Sequence, residues 1–585
     1  MMVPEPKRVA LIALLSAPLL LSACATAPRD ASPAAPPAHG SAAAKQPDTA
    51  VTQPALPDVD LTSDLLYRFL LGEVALQRGQ PRIAAQTYLD LARQTRDPRV
   101  ARRAAQIAYE THQVDKSIEA FELWVELDPE SRPARQLLIA MLLSTGRLEE
   151  ARPWLSKFIA SEPDHAGAIF QQLGMLLARN QDKEASLKLV HDLAQAHPKL
   201  PEAHMAVAQV AAAAGKQDEA LAETRQALSL RPDWRDAVLF ETQLLQAQPD
   251  QAIVALKQFV AANPHDDEAR LVYARMLLER KQYKESRDQF QQLLSAHPDN
   301  ADLAFTVALL SMQLGDMGRA EKELQLALKN GKKDQDTVEY YLGQLSETKK
   351  DSQGAIRHYA KVHGGDYLYP ARLREAYLMA QTGKLDAARD LVHQVHPKTP
   401  QQQIQLVLLE AEILRDAHQY QESYRVLEQA RRKSPDDPDL LYETAMMADK
   451  LGKPDVMEKL LRKLISLQPD NANAYNALGY SFLDRNVRIA EGMQLVEKAY
   501  TLAPNDAAIM DSVGWGHYRQ GQLDKSLDFL NRAYKVNPDP EIAAHLGEVL
   551  WARGDRDAAR KVWSAALKEH PDSEALRAVM KKFVK

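Results

Sequence analysis

The sequence contains a single cysteine, Cys24, among its 585 residues. One thiol excludes both an intrachain disulfide and a zinc site built on several cysteines. A chain exported to an oxidising compartment can either pair its thiols or avoid them. This chain avoids them at every position but one, so Cys24 calls for an explanation of its own.

Glycine is also scarce, with 23 residues, whereas the good helix formers Ala, Leu, Gln and Arg are abundant. The composition favours an all-helical protein, and 585 residues exceed one compact core, so several domains or a repeat array are expected. The formal net charge of -6 lacks the positive excess that general binding to nucleic acid or anionic lipid requires. The densest basic stretch is interpreted as a solvated helix face; it comprises Arg96, Arg99, Arg102 and Arg103.

The amino terminus has the layout of an export signal. Lys7 and Arg8 precede an apolar run from Val9 to Leu21, which is too short to serve comfortably as a permanent membrane span. The run ends Leu-Ser-Ala-Cys at residue 24, which looks like a lipobox, where the cysteine becomes the lipidated first residue of the mature chain. The alternative is an ordinary signal peptide with an unrelated thiol. We therefore predict a signal peptide over residues 1–23 and lipidation of Cys24.

Two features after the cysteine concern its destination and the chain that follows. Ala25, not Asp, comes next, which by resemblance to bacterial sorting signals indicates an outer-membrane lipid anchor facing the periplasm. Residues 24–60 are rich in Ala, Pro and Ser, with almost no apolar side chains to bury. Such a composition predicts a disordered, partly extended tether.

Beyond residue 60, prolines recur at intervals of 32 to 35 residues, with one gap. They are Pro129, Pro163, Pro198, Pro232, Pro264 and Pro298, and then Pro435, Pro469, Pro504, Pro538 and Pro571. Most are followed at once by Asp or Asn. Proline ends a helix and the polar residue that follows it can cap the next one, so the pattern predicts repeated helix pairs.

Small residues recur between these prolines, where the two helices of a hairpin must touch. The unit ending at Pro232 has a glycine at the expected turn, then a small-large-small series; these positions are Gly215, Ala220, Thr224 and Ala227. The pattern resembles the tetratricopeptide repeat. Units are predicted to begin near residues 65, 98, 132, 167, 201, 235, 267, 301, 336, 369, 403, 438, 472, 507 and 540, with a capping helix at about 573–584.

The predicted fold is therefore an all-α, right-handed superhelical tetratricopeptide solenoid of about 15 helix hairpins with a capping helix. The array is less regular in the middle: the unit before Pro264 is short, Lys332 stands where proline is expected, and Gly364 and Gly365 interrupt the run. These irregularities either mark a bend near residues 331–370 or reflect tolerated drift. With a bend, the array divides into an amino-terminal arc, 61–366, and a carboxy-terminal arc, 367–585.

No motif for catalysis or cofactor binding is recognised. Gly514-Trp-Gly516 lacks the third glycine of a nucleotide motif and falls inside a repeat helix. The nearest histidine pair, His393 and His396, has no convincing third metal ligand. Because repeats fill the chain from about residue 65 to 571, no room remains for a catalytic domain. We predict a protein-binding chain without cofactor, metal, nucleic acid or small-molecule substrate, and not an enzyme.

In a two-helix solenoid the first helix of each pair lines a concave groove. Register assigns the exposed groove positions of the last three units to eight residues, spaced by three or four along each helix: Asn473, Asn476, Tyr480, Asp511, Trp515, Tyr518, Glu548 and Trp551. Polar residues mixed with aromatics suit an extended peptide or a partner helix. The alternative for Trp515 and Trp551 is that they only seal neighbouring repeats.

Three stretches in the last units are more specific: Asn476-Ala-Leu-Gly-Tyr480, Asp511-Ser-Val-Gly-Trp515 and residues 539–551. Together with the lipobox, the tether and the array, they resemble the outer-membrane tetratricopeptide lipoproteins of Gram-negative bacteria. Within that family they resemble the lipoprotein partner of the periplasmic carboxyl-terminal processing protease of pseudomonads. The resemblance implies an adaptor that activates this serine protease and presents peptidoglycan hydrolases to it. The alternatives are a scaffold for exopolysaccharide secretion or outer-membrane protein assembly, and a cell-wall enzyme with a cryptic site.

Overall fold

The structure, a computed structural model, describes residues 57–584. The predicted signal peptide, Cys24 and nearly all of the predicted tether lie outside the described residues. Between residues 57 and 584 there are 31 α-helices, one 3₁₀ turn at Pro163–His165 and no β-strand. In that range no helix is long and apolar enough to cross a membrane.

The helices of the first half, in chain order, are α1 Ser63–Gln77, α2 Pro81–Thr95, α3 Pro98–Glu110, α4 Val114–Leu127, α5 Arg132–Ser144, α6 Leu148–Ser161, α7 Ala166–Leu177, α8 Lys183–Ala194, α9 Pro201–Ala213, α10 Gln217–Leu230, α11 Arg235–Leu244, α12 Pro249–Ala262, α13 Asp267–Glu279, α14 Tyr283–Ala296 and α15 Ala301–Gln313.

The second half continues with α16 Met317–Lys329, α17 Gln335–Thr348, α18 Ser352–Ala360, α19 Leu368–Gln381, α20 Leu385–Gln394, α21 Pro400–Asp416, α22 Tyr420–Lys433, α23 Pro438–Lys450, α24 Pro454–Leu467, α25 Ala472–Asp484, α26 Ile489–Leu502, α27 Ala507–Arg519, α28 Leu523–Val536, α29 Pro540–Arg553, α30 Arg556–Glu569 and α31 Glu574–Phe583.

These helices confirm the predicted all-helical tetratricopeptide fold. Each predicted unit is a pair of consecutive helices, and its first helix begins within three residues of the predicted start. A closing helix, α31, follows the last pair close to the predicted position. The period of the prolines and small residues was therefore sufficient to fix the number and order of the elements.

Several helix caps lie one residue later than the sequence pattern predicts, whereas Asp539, directly after Pro538, caps α29 as predicted. The expected caps were the residues directly after proline, such as Asp299, Asp470 and Asn505. The side chains that accept a hydrogen bond from the first helical turn belong instead to Asn300, Asn471 and Asp506. Proline and the residue after it form a turn, closed by a bond from the capping residue's amide to a carbonyl three residues earlier, and this turn delays the helix.

A left-handed residue makes the turn between the two helices of most pairs. Glycine fills the position in several of them, for example Gly146 with φ 74° and Gly215 with φ 76°. Elsewhere non-glycine residues take the same conformation; they are His112, Lys281, Lys350 and His418, with φ between 54° and 61°. The following amides bond back to the last helical carbonyls in both cases, which ends the first helix with a Schellman-type cap.

The residues of the predicted series lie where the two helices of a pair come closest. The small residues Ala220 and Ala227, and Thr224 between them, are all 0% exposed, which agrees with their assignment to the contact between helices. A Cβ atom added at Gly343 would lie 2.5 Å from the ring of Tyr359, and one at Gly547 would overlap the indole of Trp563. These glycines are required because a large aromatic side chain of the second helix packs directly on the backbone of the first.

The described helices fall into two compact units, residues 57–314 and 315–584. The first unit contains α1–α15 and is built largely on one apolar core that extends from Leu65 to Leu244. The second unit contains α16–α31 and has several smaller cores, one of them around Trp563. The predicted boundary between arcs at residue 366 and the predicted bend near residues 331–370 are not tested by this division and stay predictions.

Candidate functional site

The first helices of the last three pairs, α25, α27 and α29, lie next to one another in the second unit. Each begins with a side-chain cap, from Asn471, Asp506 and Asp539 respectively. The caps fix the start of each helix, so that residues one repeat apart face each other across neighbouring helices. The eight residues predicted for the groove are carried by these three helices.

An ion pair joins α27 to α29. Nδ1 of His545 lies 2.9 and 3.0 Å from the two carboxylate oxygens of Asp511, and Asp511 is only 6% exposed. Burial by itself would lower the pKa of His545, but the charge and hydrogen bond of Asp511, assisted by Glu541 and Asp484, raise that pKa above its ordinary value. The protonated imidazolium is thus the form that the fold stabilises.

Trp515 lies beside this pair, one turn along α27. Its indole stacks on the His545 ring with centroids 4.1 Å apart and packs against Tyr518 at 5.0 Å. The guanidinium of Arg519 lies 4.7 Å from the indole centroid, within range of a cation–π contact. Trp515 is 4% exposed, and its indole Nε1 has no hydrogen-bond partner among the described residues.

The third helix, α25, contacts the Asp511–His545 pair through Tyr480. The Tyr480 hydroxyl lies 3.4 Å from Nε2 of His545, so the imidazole contacts side chains of both preceding first helices. Burial, together with the nearby carboxylates of Asp484, Asp511 and Glu541, raises the pKa of Tyr480, which keeps the phenol neutral. One turn earlier, Asn476 is half-buried and its Oδ1 has no hydrogen-bond partner in the described chain.

A second contact set connects α27 and α29 to the closing helix. The Tyr518 hydroxyl donates to Oε1 of Glu548 at 3.5 Å, and Nζ of Lys582 in α31 donates to the same oxygen at 3.0 Å. The rings of Trp551, Trp563 and Phe583 pack against one another, and the Trp551 centroid lies 5.9 Å from that of Trp563 and 5.8 Å from that of Phe583. These contacts show how the last pair is covered by α31.

Side-chain contacts link five of the eight predicted residues, some of them through His545, but do not leave all of them exposed; the five are Tyr480, Asp511, Trp515, Tyr518 and Glu548. Asn473 is exposed, and Asn476, Tyr480, Tyr518 and Trp551 are half-buried. Exposure was wrongly predicted for Asp511, Trp515 and Glu548, which are 6%, 4% and 8% exposed. Side chains of the next helix cover them: His545 lies against the first two, and Lys582 contacts the third.

His545 is the residue that the sequence interpretation missed. It lies outside the predicted groove positions, although it stands within one of the stretches that carry the family resemblance. The sequence did contain an indication of this contact. Asp511 and His545 are 34 residues apart, which is one repeat length, and they lie on first helices that must be neighbours. A carboxylate and an imidazole at that separation predict a pair between repeats.

His393, from the predicted histidine pair, lies on α20 and outside the group of side chains around His545. Nε2 of His393 lies 3.0 Å from Oε2 of Glu410. Within residues 57–584 no three side chains among His, Cys, Asp and Glu are grouped so that they could hold a metal ion. The Gly514-Trp-Gly516 stretch lies inside α27, as the repeat register predicts.

Comparison with known proteins agrees with this architecture. One tetratricopeptide-repeat profile matches residues 69–132, 172–236, 448–507 and 514–574, and a second matches 243–297 and 277–340. The TPR repeat-containing protein PA4667 of Pseudomonas aeruginosa is 33% identical over 543 residues, which cover 92% of this chain and 90% of that protein.

Two solved structures are similar at lower identity. A thermophilic TPR protein of Thermus thermophilus is 23% identical, with 31% of this chain and 98% of that chain covered and a TM-score of 0.29. A chain of the APC/C hetero-tetramer Cut9–Hcn1 is 15% identical, with 90% and 97% covered and a TM-score of 0.30. Arrays of this kind are scaffolds for binding proteins. The profile matches and the identity along nearly the whole Pseudomonas protein show that the chain belongs to the tetratricopeptide-repeat protein family.

Proposed function

We propose that this scaffold is an outer-membrane-anchored adaptor. In this proposal it binds and activates a periplasmic carboxyl-terminal processing serine protease and presents peptidoglycan hydrolases to it for degradation. The catalytic serine belongs to the partner, and this chain supplies binding surfaces. Holding protease and substrate on one scaffold raises their effective concentration, to about the millimolar range for short flexible linkages.

The observation that carries the proposal is the set of linked side chains on α25, α27 and α29. Asn473, Asn476 and Tyr480 on α25 are followed by the Asp511–His545 pair and by Tyr518, all on first helices of successive pairs. Asn473 is exposed and Asn476 and Tyr480 are half-buried, so α25 offers amide and phenol groups at its surface. Such a first-helix surface can bind a polypeptide through both its main chain and its side chains.

The choice of partner is supported by resemblance. The three stretches on these helices resemble the lipoprotein partner of the pseudomonad processing protease, and the similar Pseudomonas protein matches this chain along 90% of its own length. The lipobox-like end at Cys24 supports a membrane anchor, and the Pro-rich segment after it supports a tether. Together these features suit an adaptor fixed at the membrane whose binding surface remains in the periplasm.

The proposal is tested with purified components. The chain from residue 25 to 585 is mixed with a carboxyl-terminal processing protease and a peptidoglycan hydrolase, and hydrolase degradation is followed with and without the chain. We expect degradation to need the chain, and the chain to bind the protease in the absence of hydrolase. Protease activity that is the same with and without the chain would contradict the adaptor function.

The surface is tested with a double variant, Asn473→Ala with Asn476→Ala. It should weaken binding of the protease or the hydrolase at least ten-fold, which corresponds to about 1.4 kcal/mol. Asn505→Ala is the matched control, because Asn505 is exposed in the turn before α27 and lies off the first helices. Co-purification of an outer-membrane barrel or polysaccharide-synthesis subunits, with no protease, would favour the export-scaffold alternative instead.

A further inference from the structure

The first helix, α1, is apolar on two sides. One side packs within its own pair, where Leu65 and Ala75 are 4% and 3% exposed. The other side carries a stripe of large apolar residues in solvent: Leu66, Tyr67, Leu70, Leu71 and Val74, with exposures from 38% to 64%. A helix that is apolar nearly all round is normally buried, so this stripe is a contact surface that no residue of 57–584 covers.

The repeat register identifies what kind of contact is missing. Tyr67, Leu71 and Val74 stand 33 residues before Val100, Ala104 and Ile107 of α3, the first helix of the next pair. Those three residues are 8%, 0% and 2% exposed, in a helix that packs on α2, the second helix of the preceding pair. The outer side of α1 is therefore the surface on which a preceding second helix would pack.

The same surface is used further along the chain. In α9 the equivalent residues Ala203, Val207 and Val210 are 0%, 1% and 0% exposed, and α9 contacts the second helix of the pair before it, α8. In α29 they are Ile542, Leu546 and Val549, at most 4% exposed, next to α28. In each case the occupant of this surface is an α-helix that lies across the first helix with small and apolar side chains.

The chain that precedes α1 does not offer such a helix in its sequence. Between Cys24 and Pro57 the longest stretch without proline is Ala38–Gln46, nine residues that include no Leu, Ile, Val, Met or aromatic side chain. The apolar run Val9–Leu21 lies before Cys24, in the predicted signal peptide. The segment between Cys24 and Pro57 therefore has no apolar i, i+3, i+4 stripe of its own, and we assign the missing helix to a partner protein.

We propose that the outer side of α1 docks an amphipathic α-helix of a partner protein, in the place that a preceding second helix would occupy. The partner helix packs apolar side chains on Tyr67, Leu71 and Val74, as α28 does on the equivalent residues of α29; there Leu527, Leu530 and Ala533 share apolar clusters with Ile542, Leu546 and Val549. This site lies in the first unit and is separate from the surface on α25, α27 and α29. It does not depend on the identity of the proposed protease.

The probe for the test is a fluorescent, hydrocarbon-stapled peptide with the sequence of α2, residues 81–95, because α2 occupies the equivalent surface on α3. Its binding to the chain from residue 25 to 585 is measured by fluorescence anisotropy. We expect saturable binding, weakened at least ten-fold by Leu71→Glu with Val74→Glu. A stapled peptide of the same composition in scrambled order should not bind.

The matched control is Val254→Glu with Val536→Glu, since these valines are also exposed, at 53% and 60%, but lie on α12 and α28. The control should bind the peptide like the unchanged chain, and circular dichroism melts should show both variants folded. Equal binding by the two double variants, or no binding by the unchanged chain, would overturn the proposal.

Two other occupants give distinct results. If a second copy covers α1, sedimentation of the unchanged chain shows a dimer that Leu71→Glu with Val74→Glu abolishes. If a lipid surface covers it, the chain without its lipid floats with phosphatidylethanolamine–phosphatidylglycerol vesicles and the double variant does not. Either result would replace the partner helix by that occupant.

Discussion

Asp511 and His545, one repeat apart in the sequence, form an ion pair at 2.9 Å that joins the first helices of two successive pairs. The pair is nearly inaccessible to solvent, and the indole of Trp515 covers one face of the imidazole. In this array a charged contact therefore supplements the apolar packing between repeats.

The pair makes stability depend on pH. The pKa of His545 is raised in the folded chain, so its contribution to stability is complete below the unfolded histidine pKa of about 6.5 and is lost as pH rises through the folded pKa. We expect urea melts of the second unit's transition to show this loss in the unchanged chain. His545→Gln should remove it.

The comparison with His545→Gln is needed because another histidine acts in the opposite direction. Burial lowers the pKa of His517, so its contribution is lost as pH falls. The difference between the unchanged chain and the variant isolates His545. A difference that stays constant from pH 5 to 9 would contradict the assigned role of the pair.

Gly547→Ala should destabilise the chain by about 1–3 kcal/mol, because the new methyl group would overlap the indole of Trp563, which is fully buried and held by a bond to the Ala544 carbonyl. Gly318→Ala is the matched control: Gly318 is also helical, and its Cβ would meet nothing within 4 Å. The control should gain about 0.5–1 kcal/mol of helix propensity. Denaturant melts measure both changes.

Lys281→Gly should stabilise the chain by up to about 1 kcal/mol, although it removes a side chain. Lys281 has φ 59° in the turn between α13 and α14, a conformation that costs a residue with a Cβ about 1–2 kcal/mol and costs glycine little. Gly215→Ala, in the corresponding turn between α9 and α10, should have the opposite sign. Thermal melts that move in the same direction for both variants would refute this reading of the turns.

Cys24→Ser tests the proposed anchor. If Cys24 carries the lipid, the variant should leave the membrane fraction or remain unprocessed, because the anchoring energy comes from buried acyl methylenes at about 0.8 kcal/mol each. Fractionation of cells that express either form measures this. Unchanged membrane association of the Ser variant would contradict the lipobox interpretation.

The repeat period made most of the fold predictable from sequence, since proline positions and small residues such as Ala220 are set by contacts inside each pair. Some caps were misplaced by one residue because the local turn after proline is not encoded in the period; Asn300, not Asp299, caps α15. The left-handed turns at His112 and Lys281 could not be predicted from the sequence. Glycine is the residue type that indicates a left-handed conformation, and neither of these turns contains it at that position.

The candidate surface was predictable in place but not in detail. Register correctly assigned Tyr480, Asp511 and Trp515 to neighbouring first helices. It could not give their burial, because that depends on the length and direction of side chains on the next helix. His545 covers Asp511 and Trp515, which were expected to be exposed. The sequence pattern was analysed within single repeat units, so it gave no information on this contact between two units.

The contacts of α31 make the two ends of the array different. At the carboxyl end Phe583 lies against Trp551 and Trp563, and Lys582 reaches Glu548, whereas α1 has nothing on its outer side within the described chain. Local opening is easiest where a helix has the fewest packed neighbours, so amide hydrogens should exchange earliest in the first pair. Unfolding should then begin at α1 and proceed into the array. A fusion or truncation should be better tolerated at the amino-terminal side of α1 than within α31, which begins at Glu574.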